Sequence, residues 1–343
     1  MRLDGGMFGF EESFDHAQAV ESQFMREPRQ LFLSARCAIQ FLIDSLKPPQ
    51  VWMPSYLCCS MIDAVDQKTI VLKFFPIGYD LEVASLDWLD LLIPGSLVVL
   101  IDYFGFPCDM HIASEVQSRG SFVLEDASQA LLSTHVGLQS DYVLFSPRKT
   151  LGVPDGGILQ YRQNHLPSSA QLMPPPKEWW LKALEACMAR REFDKFGGER
   201  RWYELFRQVE ATYPLGPYRM SELSETLLET AFDYQSIARA RLANYTYLAD
   251  SLADFTIFKK LDDNTVPLGF PIRVNNRDEV RQILFGQQVY PPIHWEIGEC
   301  VPGSFVASHE LSSNIMTIPC DHRLKSDDMV RIAGILREAI GRK

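Results

Sequence analysis

An acid, an amide and a lysine stand in an order that could do chemistry in this chain. Asp126 closes a strand-like run, Ser121–Glu125, and Gln129 follows three residues later. A second strand-like run, Tyr142–Phe145, ends in Ser146-Pro147-Arg148-Lys149, then Gly152 and the pair Gly156-Gly157. In open α/β sheets, functional groups gather at the carboxyl ends of strands. An acid at one such end and a lysine at the next suit pyridoxal phosphate. Its aldehyde takes a lysine amine and its pyridinium nitrogen takes an acid. The amine must be unprotonated to attack, which desolvation or a nearby cation promotes. Taken singly, the acid is a helix cap and the lysine a surface charge. All three in this order, one strand apart, carry the cofactor reading. The paired glycines allow close backbone approach or a left-handed turn.

The segments EDASQA, PRKTLG and PDGG, in that order, resemble the DegT/DnrJ/StrS sugar aminotransferases among fold-type I pyridoxal-phosphate enzymes. The resemblance implies that Lys149 is the Schiff-base lysine and Asp126 the pyridinium partner, with Gln129 beside the ring and its phenolic oxygen. It implies an α/β fold: a large domain with a mostly parallel seven-stranded sheet, and a smaller C-terminal α/β domain. Ser34, Ala35 and Arg36 stand at the family's S-G-T, where helix-terminal amides hold the cofactor phosphate, as the helix dipole favours. Arg36 replaces the usual Thr and can add a charge-assisted contact. Cys58 falls at the ring-covering aromatic position, so Tyr56 or another group must do that work; packing is the simpler role for Cys58. Asp102 stands where the family has His. Ser146 is a phosphate contact in the broader aspartate-aminotransferase-like group.

Further along, YRMSEL resembles the family's N-Y-R-M-[ST]-E-L, with Pro217 at the Asn that reaches the partner subunit's phosphate. Tyr218 or Arg219 could replace that contact, and Arg219 is a candidate substrate residue. VYPPIHW resembles a substrate-side segment, which makes His294 a candidate there. The implied reaction moves an amino group from an amino-acid donor, L-glutamate by resemblance, to a nucleotide-linked keto-sugar. Surface-polysaccharide or secondary-metabolite synthesis is the implied setting, and a homodimer with shared active sites the implied assembly. Dehydratases of the family carry His at the lysine position, and Lys149 argues against them. Two alternatives stay open: a pyridoxal-phosphate enzyme of another reaction type or acting on a non-sugar substrate, and a non-catalytic binding or regulatory protein of the same fold.

At 343 residues the chain suits two domains. We expect a division into 1–235 and 236–343, with 163–217 a helical excursion. A net charge of −11 excludes a general nucleic-acid binder. The seven cysteines show no C-x-x-C pair, so neither a disulfide framework nor a metal site is expected. No signal peptide and no membrane span are expected, and a reducing cytoplasm is the expected compartment. The first 30 residues carry no motif beyond a helix over Phe14–Met25. Strands alternate with helices Ala35–Leu46, Leu57–Val65 and Asp109–Arg119, which predicts crossovers and a parallel sheet. Helices are expected at Glu178–Phe193 and Glu199–Thr212, where Trp179, Trp180, Trp202 and Tyr203 line a substrate pocket or, the simpler role, fill a helix–helix core. One long helix is expected from about Leu223, and then a strand Thr256–Phe258.

Overall fold

A computed structural model describes residues 3–11, 22–162, 171–258 and 260–341. A short strand β1 (Asp4–Gly5) belongs to a side ladder. The main sheet is built from β2 (Arg29–Phe32), β3 (Gln50–Pro54), β4 (Val71–Phe75), β5 (Leu97–Ile101), β6 (Phe122–Asp126), β7 (Tyr142–Phe145) and β8 (Gly157–Tyr161). Its order is β2-β8-β7-β6-β5-β3-β4. Strands β4, β3, β5, β6 and β7 run parallel. β8 is antiparallel to both β7 and β2. The reading LVVLI of β5 is buried throughout, as a strand covered on both faces requires.

Helix α1 (Ala35–Leu46) begins where expected: the Ser34 hydroxyl accepts from the Cys37 amide at 3.2 Å. Its buried face, including Ala38, Phe41 and Leu42, joins the core. Helix α2 (His111–Ser118) packs on β6. The excursion is a pair of helices, α3 (Lys177–Phe196) and α4 (Arg201–Ala211), packed on each other. Trp179 donates its indole N–H to the Val209 carbonyl at 3.1 Å, so it does fill the helix–helix core. Trp202 is buried as well, whereas Tyr203 is half exposed.

Next come α5 (Glu222–Thr230), α6 (Tyr234–Ser251), β9 (Phe270–Arg273), α7 (Arg277–Gly286), β10 (Val289–Tyr290), α8 (Val306–Asn314), β11 (Ile315–Ile318) and α9 (Ser326–Gly341). β9 and β11 form an antiparallel pair, and α9 packs on α6 and α7. β1 pairs with β10, so the first residues lie against the C-terminal segment.

Four expectations are corrected. The long helix is two, because the Asp233 carboxylate caps a fresh start by accepting from the Ser236 amide at 3.0 Å. Leu57–Val65 is a 3-10 turn over Cys59–Ala64. Thr256–Phe258 makes only an isolated bridge, Thr256 to Ile272. Cys59 and Cys300, 241 residues apart, form a disulfide, which spacing alone does not reveal. The helix expected over Phe14–Met25 lies largely outside the described residues, and Gln23–Met25 is a 3-10 turn. Among the described residues, no helix is long and apolar enough to cross a membrane, and no acid, His or Cys cluster could hold a metal.

Candidate active site

The carboxyl ends of β3, β5, β6 and β7 carry the chemical residues. Asp126 is the last residue of β6, in register with Ile101 and Leu144. Its carboxylate accepts from the Ser128 amide at 2.9 Å. Gln129 follows on the same turn, and its carboxamide oxygen accepts from the Phe104 amide at 2.7 Å. The Gln129 amide nitrogen is buried without a partner among the described residues. Phe104 itself sits at φ +57°, a strained conformation for a bulky residue, held by that bond and its surroundings.

Alternation along β6 turns Glu125 to the opposite face. There it accepts from the Ser140 hydroxyl at 2.6 Å and the Gly137 amide at 3.0 Å. Burial, then the neighbouring Asp102, pushes the Glu125 carboxyl well above the usual carboxylate range. Asp102, at the position the family gives to His, is thus one of a buried acid pair and accepts from the Cys108 amide at 3.0 Å.

Past β7, Ser146 is buried and begins a 3-10 turn, Pro147–Lys149, in which the Lys149 amide donates to the Ser146 carbonyl at 3.1 Å. Lys149 lines a cavity of about 510 Å³. His294 lines it too, with Nδ1 2.8 Å from the Thr317 hydroxyl. Burial, then the charge of Lys149, lowers His294 to about 3, so its imidazole is neutral. The roof comes from the excursion, through residues such as Ala186, Cys187, Phe206 and Val209, and the N-terminal residues Gly5–Phe8 close another side.

Asp126, Gln129, Ser34, Ala35, Arg36, Ser146, Tyr56 and Cys58 are not part of that wall. An aromatic chain connects several of them to it. Tyr103, electrostatically coupled to Asp126, donates its hydroxyl to the Tyr56 carbonyl. Tyr56, fully buried, donates to the His294 carbonyl and accepts from the Trp295 amide at 2.9 Å. Tyr56, Tyr103 and Trp295 rings pack with centroids 5.7 to 6.2 Å apart. Cys58 contacts Ser60 at 3.1 Å and packs against the core, in line with the packing role. Arg219 pairs with Glu222 at 3.0 Å, half exposed and away from the cavity. Tyr103 and Trp295 lay unremarked in segments already matched to the family. The excursion does line the cavity, through Ala186, Cys187, Phe206 and Val209 and not through Trp179, Trp180, Trp202 or Tyr203. The share of the N-terminal residues had no signal in their spacing.

These residues fit pyridoxal phosphate. Gln129 offers a buried donor with nothing to satisfy it, which a polar ligand would supply. β8 brings Gly157 so close to Ser34 and Ala35 that a Cβ there would lie 2.2 Å from the Ser34 carbonyl carbon. Ser146, one step past the Phe145–Ile158 pair, is level with that crossing. The backbone at Ser146 is thus level with the crossing at the start of α1, whose N-terminus favours an anion.

A mostly parallel seven-stranded sheet with a lysine turn and an acid at neighbouring strand ends defines a fold-type I pyridoxal-phosphate transferase. The model of the DegT/DnrJ/EryC1/StrS aminotransferase family matches residues 95–337, and the chain belongs to that family of pyridoxal-phosphate-dependent enzymes. No curated protein sequence matches it significantly. Among solved structures, DesV of S. venezuelae superposes with TM-score 0.67 at 16% identity, over 92% of this chain and 85% of that one. Helicobacter pylori PseC, an aminotransferase in pseudoaminic acid biosynthesis, gives 0.67 at 14%, over 91% and 86%. The PLP form of Spr1654 of Streptococcus pneumoniae gives 0.66 at 13%, over 91% and 86%. At such identities the likeness carries the fold.

Proposed function

We propose that this aminotransferase moves an amino group from L-glutamate to the keto group of a nucleotide-linked sugar, with pyridoxal phosphate held by Lys149. The observation that supports this most is the meeting of Lys149 and a neutral His294 on one cavity, with Asp126 and Gln129 at the adjoining strand end. The sugar acceptor rests on the family and on similar structures such as PseC, an aminotransferase of pseudoaminic acid biosynthesis. When bound, the cofactor supplies an electron sink that stabilises charge at the reacting carbon.

The chain's residues do the rest. Lys149 would hold the cofactor's aldehyde carbon. Its Nζ is also the group we assign to take and return the proton at the donor's α-carbon. Asp126 would partner the pyridine nitrogen. Gln129 would give its unpaired N–H to the phenolic oxygen. Ser34, Ala35, Arg36 and Ser146 would hold the phosphate. Tyr56 would be the aromatic that covers the ring in place of Cys58, reaching the cavity through its bond to His294. His294, being neutral, contributes a hydrogen-bonding edge without a competing positive charge. The reading includes a homodimer in the cytoplasm and a domain division near residue 235.

Glutamate added to the cofactor-loaded protein should bleach the visible absorbance and release one equivalent of 2-oxoglutarate, and a nucleotide-linked keto-sugar should restore it. If no amino acid among the standard twenty shifts the spectrum, the amino-acid donor is wrong.

A further inference from the structure

The excursion's return segment, just past α4, lies on the start of α1. The Tyr218 carbonyl accepts from the Leu33 amide at 2.9 Å, and Arg219 bridges Phe32. The Cys37 thiol donates to the Pro214 carbonyl at 3.5 Å, and the Tyr213 hydroxyl to the Leu33 carbonyl at 3.3 Å. The backbone contacts of Pro214 and Tyr218, with Trp179 against the Tyr213 ring at 4.5 Å between centroids, hold that ring beside the first turn of α1 without need of its hydroxyl.

Two guanidinium groups share this one ring. Arg36 stands 4.3 Å from its centroid and Arg148, next to Lys149, 4.9 Å. Arg148 is paired with Glu210 at 2.8 Å. Arg36 has no side-chain hydrogen bond or ion pair among the described residues; the ring is its partner. A guanidinium stacked on an aromatic face keeps its N–H edge free for an oxyanion. Two arginines and one glutamate leave one positive charge over, beside the positive end of α1. In a protein of net charge −11, that excess is a local exception.

We infer that Tyr213 is a positioning residue: it holds Arg36 and Arg148 at the start of α1, so that the cofactor's phosphate is gripped by a cation stacked from within the same chain. This rests on the proposed cofactor reading and deepens it. The ring, not the hydroxyl, does the positioning. The ligand class it selects is a phosphate monoester.

The test compares pyridoxal 5′-phosphate with pyridoxal, which lacks the phosphate, by equilibrium dialysis against the full chain freed of cofactor. Tyr213→Leu and Arg36→Met should each weaken pyridoxal-phosphate binding about tenfold, a stacked cation's contribution. Pyridoxal should bind as to wild type. Tyr213→Phe keeps the ring and should behave as wild type. The Tyr213→Leu/Arg36→Met double variant should lose less than the product of the singles, because both remove one interaction. Circular dichroism confirms folding, and Arg36→Met leaves the Tyr213 packing untouched if Tyr213→Leu unfolds. Equal losses for both ligands, or none for pyridoxal phosphate, overturn the inference while leaving the cofactor reading intact. Wild type binding neither ligand overturns both.

Discussion

His294 shows how far one side chain's surroundings set its chemistry. Burial, then the charge of Lys149, lowers its pKa from 6.5 to about 3. Below 6.5 an unfolded chain binds a proton at this histidine, while the folded chain does so only near 3. Between those values the unfolded state holds more protons, so stability from this group rises with pH and is lost on acidification. His294→Gln should flatten the wild-type decline between pH 6.5 and 3, by up to about 1.4 kcal/mol per pH unit. Urea melts across that range read the slope, and an unchanged slope assigns the titration to another group. At this scale the sequence was most legible. Asp126, Gln129 and Lys149 stand at or just past strand ends, as their order in the sequence predicts. Tyr103 and Trp295 were hidden because an aromatic residue has the same appearance in a core as in a site.

Among the elements, α1 depends on a close crossing. β8 passes the first turn of α1 with no room for a side chain at Gly157, where a Cβ would also stand 2.4 Å from the Ala35 nitrogen. Both neighbours are backbone and cannot rotate aside. Gly157→Ala should therefore destabilise by about 2–3 kcal/mol, as overpacking does. Gly334→Ala, in α9 with nothing within 4 Å of its Cβ, should instead stabilise by about 0.5–1 kcal/mol. Chemical denaturation of the two variants reads the contrast, and equal effects would remove the crossing from the account. The α1 start was legible because Ser34 is a cap with a following apolar period. The break between α5 and α6 was not, because Leu227, Leu228, Ala231 and Ile237 keep a helical period across it while Asp233 re-caps the chain. The same physics made Thr256–Phe258 read as a strand: its β-branched and aromatic residues suit one, yet only one bridge forms.

For the molecule as a whole, alternating strands and helices predicted a parallel sheet, and the main sheet is parallel over five of its strands. Contacts between distant segments were not legible. β1 meets β10 across most of the chain. Cys59 meets Cys300, joining the turn after Tyr56 to the turn after Trp295. Pairing at such separation follows from the fold and leaves no mark in local spacing. Protein denatured without reductant should accordingly show five reactive thiols, rising to seven after reduction. Seven before reduction would mean that the pair is open in solution.

The central claim is that Lys149 carries the cofactor. The most direct measurement is the absorbance spectrum of purified wild type and Lys149→Ala after incubation with pyridoxal phosphate and removal of the excess. The account predicts a visible band in wild type that borohydride bleaches while fixing the cofactor as a covalent secondary amine on Lys149, and no such fixed adduct in the variant. A borohydride-fixed adduct of equal yield in Lys149→Ala, or none in wild type, would contradict it.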